Sequence, residues 1–338
     1  MKSDKITATH SSQSWMEIVS KYNFSDPFKS WWQVINSVVP YLLLWAAMIW
    51  SLEVSYFLTL FLSVFAAGFL VRIFIIFHDC GHGSFFKSQR LNRLAGIITG
   101  LMAFTPYDKW HHDHKEHHAT VGNLDKRGIG DVRTLTIGEF LARSKWNRFR
   151  YRIYRHPIFL FGIAPALVFV LQNRLTKKYM NSQERLNLHL TNLILVLAII
   201  LSMWAIGWKA YLMIQIPVLY ISAVNGLWLF YIQHQYENVV WTRSNKWNYK
   251  DIALDGSSYF KLPKILQWFT GNIGFHHIHH LSPRIPNYKL PKCFKENPIF
   301  QEVKPITFWS SLRSLRLRLW DEKANKLVGF KVLRFYPS

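Results

Sequence analysis

Cysteine is nearly absent from these 338 residues: only Cys80 and Cys293 occur. Two thiols exclude a disulfide framework and a thiolate metal cluster. The N-terminus, MKSDKITATHSSQSW, lacks the apolar core of a cleavable signal peptide, so insertion into a membrane rests on internal segments. Acids are scarce too: 19 Asp and Glu stand against 41 Lys and Arg, a formal charge of +22. Such an excess suits a nucleic-acid binder or a membrane protein with one basic face. There is no internal repeat, no low-complexity linker and no flavin or haem motif.

What is present is apolar surface in long runs. Half of the chain is hydrophobic, and Phe, Trp and Tyr make up 16%. Four segments are long enough to cross a bilayer, which takes about 20 residues. They are roughly 35–52, 54–77, 187–206 and 211–231. Two shorter apolar stretches, 94–107 and 157–171, read as interfacial or re-entrant helices. The basic residues test this layout. Of the 41 Lys and Arg, 4 precede the first span, 18 lie in 78–186 and 17 lie in 235–338. Only Arg72, inside the second span, and Lys209, between the third and fourth, fall elsewhere. The positive-inside rule makes the basic side the cytoplasm, and the one-sidedness speaks for a membrane rather than for nucleic acid.

The expected fold is therefore an all-α integral membrane protein. Four transmembrane helices in two hairpins stand on a cytosolic cap, with one or two interfacial helices. Its parts are a cytosolic N-terminal segment (1–34), a first hairpin (35–77) and a cytosolic loop (78–186). A second hairpin (187–233) and a cytosolic C-terminal region (234–338) follow. The tail WSSLRSLRLRLWDEK alternates Leu and Arg, which fits a basic interfacial helix or an edge strand, with a plain solvated basic face the commoner case.

The chain holds fifteen histidines, five of them between His111 and His118. Three groups have ligand spacing, all on the basic side. HDCGH places His78 and His82 one turn apart if the second span runs on as a helix. HKEHH places His114, His117 and His118 on one helical face, and HHIHH does the same for His276, His279 and His280. His234, at the end of the fourth span, is a ninth candidate. His10 and His156 read as surface residues and His189 as structural. His111, His112 and His277 flank the groups but fall off the repeated spacing. Eight or nine imidazoles exceed what one ion can take, so two metals are implied. Imidazole suits iron, zinc, copper and nickel alike. There is no Glu-x-x-His pattern of the ferritin-like carboxylate sites.

These residues resemble the three histidine boxes of the membrane fatty acid desaturases. The flanking stretches FIIFHDCGHGSFFKS, HHATVGNLDKRGIGDV, LFYIQHQYE and TGNIGFHHIHHLSPRIPNYKL are similar to Bacillus-type acyl-lipid (phospholipid) Δ5 desaturases. The resemblance runs from about residue 30 to about 330. It implies an oxygen-dependent enzyme in which His78, His82, His114, His117, His118, His276, His279 and His280, with His234, hold two iron ions. It implies a phospholipid acyl chain as substrate, O2 as oxidant, and ferredoxin or flavodoxin as electron donor. No HPGG marks a fused cytochrome b5 domain. In the animal acyl-CoA members an Asn one turn before the extra histidine holds a water. Here that position is Phe230, and Gln233 or Asn272 would have to serve instead. Asp79, Asp131, Glu237 and Asp255 are the carboxylates placed to take the outer N–H of ligand rings. The basic stretch KWNRFR (145–150) is a candidate docking face for an acidic electron carrier.

Two rivals remain open. A hydroxylase on the same scaffold would gain oxygen instead of losing two hydrogens. A metal transporter or sensor would place its ligands within the spans, where only His189 lies.

Overall fold

A computed structural model describes residues 14–127 and 131–336. His10, with the other residues before Ser14, and Gly128 to Gly130 of the second-box flank lie outside the described residues. A short helix α1 (Trp15–Ser20) is followed by α2 (Pro27–Val54) and α3 (Tyr56–Gly81). Asp26 caps α2 by accepting the Lys29 N–H, and Pro27 occupies the first turn, where no N–H is needed. α2 thus begins eight residues before the apolar run does. Its first two turns are amphipathic, with Ser30 and Gln33 buried and Trp31 and Trp32 exposed.

A single extended residue, Ser55, separates α2 from α3, and Ser51 and Thr59 share a hydrogen bond of 2.8 Å across the turn. α4 (Gln89–Met102) and α5 (Tyr107–Thr120) then leave the end of α3. α4 stops where Phe104 takes a positive φ of 53°. Gly96 of α4 lets Tyr107 lie against its backbone, since a Cβ there would sit 2.2 Å from the Tyr107 ring.

The cap continues with α6 (Ile137–Leu141), α7 (Lys145–Tyr154) and α8 (Ile158–Arg174), the last wound partly as π-helix and bent 55° from α7. α9 (Ser182–Ile206) starts on a reciprocal cap between Asn181 and Glu184. Gly207, with φ 85°, makes the one-residue turn into α10 (Trp208–His234). Three short helices, α11 (Tyr249–Asp255), α12 (Lys264–Phe269) and α13 (His276–Leu281), lie in the C-terminal region.

α2, α3, α9 and α10 are the four helices long and apolar enough to cross a membrane. α3 is central: Ala66, Leu70 and Ile73 pack with Met48 of α2 and with Ile214 and Val218 of α10. Arg72, the charge inside the second span, is buried. It donates to the Trp268 carbonyl and stacks its guanidinium 3.9 Å from the Trp268 ring. The fold is the expected all-α membrane architecture of two hairpins under a cap.

The strands are few and confined to the cap. β1 (Leu135–Thr136) runs parallel to β4 (Leu319–Asp321), which pairs antiparallel with β5 (Lys326–Val328). β2 (Tyr259–Phe260) pairs with β3 (Pro305–Ile306). The Leu–Arg tail resolves into a 3-10 turn, Leu312–Arg316, followed by β4. β4 is the central strand of its sheet, with Leu319 and Trp320 buried, so neither the interfacial helix nor the edge strand is formed. Alternation of Leu and Arg buries one face, but it does not say whether a strand has one neighbour or two.

Candidate metal centre

The ligand-spaced histidines converge where the capped ends of the hairpins meet. α3 does continue past its apolar run. His78 lies in its last turn, and His82 keeps right-handed helical dihedrals (φ −78°, ψ −5°), so both rings share a face. His114, His117 and His118 project from one side of α5, and His276, His279 and His280 from one side of α13. α13 is set by a tight approach in front of it. A Cβ on Gly274 would stand 2.4 Å from the Phe260 carbonyl oxygen, so box 3 sits directly on β2. His234 is the last residue of α10.

The nine rings fall into two groups. His78, His82, His114, His118 and His279 form one, and His117, His234, His276 and His280 the other. Within each, one ring nitrogen per residue lies within 4.8 Å of all the others. The Nε2 of His114 is 3.0 Å from that of His78, 3.1 Å from that of His82 and 3.2 Å from that of His118. In the second group the Nε2 of His234 is 3.1 Å from that of His117 and 3.0 Å from that of His276.

The outer nitrogens fix what those tips are. His78 donates its Nδ1–H to Asp79 at 3.0 Å, and His117 donates to Asp131 at 2.8 Å. His234 donates to the Gly256 carbonyl at 3.1 Å. With Nδ1 engaged outward in all three, each ring presents its Nε2 to the interior of the cluster. The His117 and His234 Nε2 atoms therefore face each other at 3.1 Å, both rings buried. His280 Nε2 is buried with no hydrogen-bond partner among the described residues. This is unfavourable for the rings alone and is what a cation among them would satisfy. Burial first, and the neighbouring imidazoles second, push His82, His114, His118, His276, His279 and His280 well below the ordinary histidine range. The donor set, all imidazole nitrogen in two groups, fits two transition-metal ions.

Of the four carboxylates expected to support the rings, Asp79 and Asp131 do so. Asp79 also accepts from the backbone N–H and the side-chain amide of Asn287, at 2.7 and 2.9 Å, and so ties box 1 to the segment after box 3. Glu237 instead faces Arg313 at 3.9 Å on the surface. Asp255 contributes its main-chain carbonyl to Tyr236 and Val240, and among the described residues no ring N–H reaches its carboxylate.

The flanking histidines point elsewhere. His111 stacks on Tyr107, His112 meets Glu184 at 2.9 Å, and His277 donates to the Phe300 carbonyl at 3.1 Å. His189 is exposed on α9. Phe230 lies 5.2 Å from the His117 ring and 5.9 Å from the His234 ring. Gln233 donates to the Ile273 carbonyl, and the Asn272 amide is taken up by Gln267 and Asn287.

Some supporting groups carried no readable signal. The Gly256 carbonyl is backbone, and Trp110, stacked 4.3 Å from His114, reads as core. Arg155 is buried and clamps Thr134, Gln235 and the Leu317 carbonyl, each at 2.9 to 3.0 Å, beside His234. A cavity of about 20 Å³, enough for about one water, is lined by Asp131, Thr134, Phe230, His234 and Gln235 among others.

The comparisons with known proteins agree with this arrangement. The family model described as fatty acid desaturase matches residues 54–310. A "Fatty acid desaturase" of Bacillus subtilis (strain 168) is 44% identical over 331 residues, covering 98% of this chain and 94% of that protein. A Synechocystis "sn-1 acyl-lipid omega-3 desaturase (ferredoxin)" is 27% identical over 69% of this chain and 64% of its own length. An "sn-1 oleoyl-lipid 12-desaturase" of Anabaena variabilis is 24% identical over 78% of this chain and 74% of its own length.

Proposed function

The chain belongs to the fatty acid desaturase family, and on that premise we propose that it introduces a cis double bond, at Δ5, into the acyl chains of membrane phospholipids. His78, His82, His114, His118 and His279 hold one iron ion in this reading. His117, His234, His276 and His280 hold the other. The observation that carries it is the convergence of nine ring nitrogens in two buried groups, which meet where His117 Nε2 and His234 Nε2 stand 3.1 Å apart. The acyl-lipid substrate and the ferredoxin or flavodoxin donor are supported by relatives whose names carry "acyl-lipid" and "ferredoxin". The Δ5 position rests on the resemblance of the box flanks to Bacillus-type enzymes.

Removing two hydrogens from a saturated –CH2–CH2– unit consumes one O2, two electrons and two protons, and yields –CH=CH– and two waters. The irons, when bound, supply the oxidising power for unactivated C–H bonds. The residues of the chain do the rest. Burial disfavours the charged form of His82, His114, His118, His276, His279 and His280 and so keeps those rings available as ligands. Asp79, Asp131 and the Gly256 carbonyl fix the tautomers that aim Nε2 inward. The acidic outer shell on His78 and His117 offsets part of the charge that two irons bring. The basic excess around the cap supports a cytoplasmic orientation at the cell membrane, with both termini on that side.

The test is expression in a bacterium beside a His117→Ala control, with mass spectrometry of total lipid fatty acids after derivatisation of double bonds. The expected result is a cis monoenoic acid, two mass units below its precursor, in the phospholipid fraction of the wild type alone. Hydroxy acids, sixteen units heavier, would move the reaction to the hydroxylase alternative. Equal product in the His117→Ala strain would overturn the ligand assignment.

A further inference from the structure

We propose that the bend between α7 and α8 is a binding site for one anionic phospholipid of the surrounding bilayer, separate from the metal centre and independent of the reaction assigned to it. Arg152 and His156 take its phosphate, and Ile153, Ile158, Phe159 and Ile163 take its acyl chain. These six residues line an open groove of about 370 Å³, and none of the nine clustered histidines borders it. That volume is in the range of sites for small apolar ligands.

The position of α8 sets the depth of the groove. Phe161 packs on Trp228 and Tyr231 of α10, with ring centroids 5.1 and 5.5 Å apart, and Tyr220 donates its hydroxyl to the Gly162 carbonyl at 3.0 Å. Tyr220 precedes His234 by 14 residues, about 21 Å along the helix. α8 therefore starts beside the capped end of α10, where Arg155 meets Gln235, dips along α10 and returns at its far end to α5, where Lys109 donates to the Gln172 carbonyl. The bend at its start lies at the rim, where headgroups are.

α7 has the composition of a helix that rests on such a rim. Trp146, Phe149 and Ile153 recur at spacings of three and four, on one face, and are 65%, 50% and 45% exposed. Lys145, Arg148, Arg150 and Arg152 accompany them, and among the described residues no carboxylate pairs with any of the four. Arg152 is steadied by its guanidinium lying 4.5 Å from the Phe330 ring and 5.5 Å from the Phe140 ring. It makes no hydrogen bond among the described residues, so its N–H groups remain for a ligand. His156 Nδ1 accepts from the Ile158 N–H at 3.3 Å, which leaves the ring proton on Nε2 as a donor.

Two donors at the head of an apolar groove match a phosphodiester joined to an acyl chain. An acidic protein, the partner expected for 145–150, would match the charges alone. It would leave Trp146, Phe149 and Ile153 facing its polar surface.

The test uses the full-length, metal-loaded protein in detergent, titrated with phosphatidylglycerol or phosphatidylcholine and read by native mass spectrometry. The wild type is expected to retain one phosphatidylglycerol with about tenfold preference over phosphatidylcholine. Arg152→Gln combined with His156→Gln should remove the preference, and Lys326→Gln, an equal charge change on the exposed face of β5, should leave it intact. Unchanged metal content in each variant certifies the fold. Equal retention of the two lipids by the wild type, or an undiminished preference in the double variant, overturns the proposal. So does a double variant that keeps its lipid but loses binding of an acidic ferredoxin, since the face then belongs to the carrier.

Discussion

Asp131 accepts the Nδ1–H of His117 at 2.8 Å across a separation of fourteen residues. His117 lies on α5 and Asp131 in the loop after it, so this contact ties the loop to the histidine cluster. It also fixes the His117 tautomer, and hence the acceptor that faces His234. Asp131→Ala is expected to weaken metal binding about 10- to 100-fold, the usual cost of removing an outer-shell partner. Iron content per chain after dialysis against graded chelator measures it. Wild-type retention across that series would remove Asp131 from the site.

Asp79 performs the same service for His78 and adds a link, since its second oxygen accepts twice from Asn287. Asp79→Asn replaces an acceptor with an NH2 group that meets those donors head on. Loss of such buried bonds costs about 1–3 kcal/mol. Combined with Asn287→Ala, the two changes should cost clearly less than their sum, because both break the same link. Thermal unfolding of the four proteins gives the coupling, and strict additivity would mean that the link contributes nothing.

The apo protein should be less stable than the metal-loaded one, and more so in acid. Six histidines of the cluster, His82, His114, His118, His276, His279 and His280, are held well below their ordinary range by burial and mutual repulsion. The unfolded chain takes up protons on them near pH 6.5, and the folded chain does so only at lower pH. Stability of the chelated protein should therefore fall as pH drops below about 6.5. Melting temperature at several pH values, with and without chelator, gives the sign. A chelated protein that gained stability on acidification would contradict it.

Two glycine substitutions should behave oppositely. Gly274→Ala drives a methyl group into the Phe260 carbonyl and pushes α13 off β2, so metal content and stability should both fall. Gly226→Ala, in α10, meets nothing within 4 Å and should change neither. Matched metal analyses of the two variants decide whether box 3 is placed by that close approach.

The clustering of the nine histidines was legible because helices repeat. H-x-x-H-H puts three rings on one face wherever a helix forms, and two such runs occur on the basic side with His78, His82 and His234. The outer contacts were half legible. Asp79 is next to its histidine and Asp131 is one loop away. Glu237 and Asp255 looked equivalent in sequence but are turned aside by the path of the chain after α10. The Gly256 carbonyl and the Arg155 clamp depend on long-range packing, which no local pattern encodes. The start of α2 was written in Asp26 and Pro27, but a search for apolar runs passes over an amphipathic first turn. β4 fell between two readings because both had the same alternation.

The turns at Ser55 and Gly207 have a consequence of their own. Each joins two long helices with one residue, so the end of the molecule opposite the cap is little more than two reverse turns. Among the described residues it carries no loop for an antibody to grip, no segment for a protease to cut and one nearby amine, Lys209. A compartment that touches the protein only there has almost no means of modifying or restraining it. Whatever governs this molecule from water has to do so from the capped side.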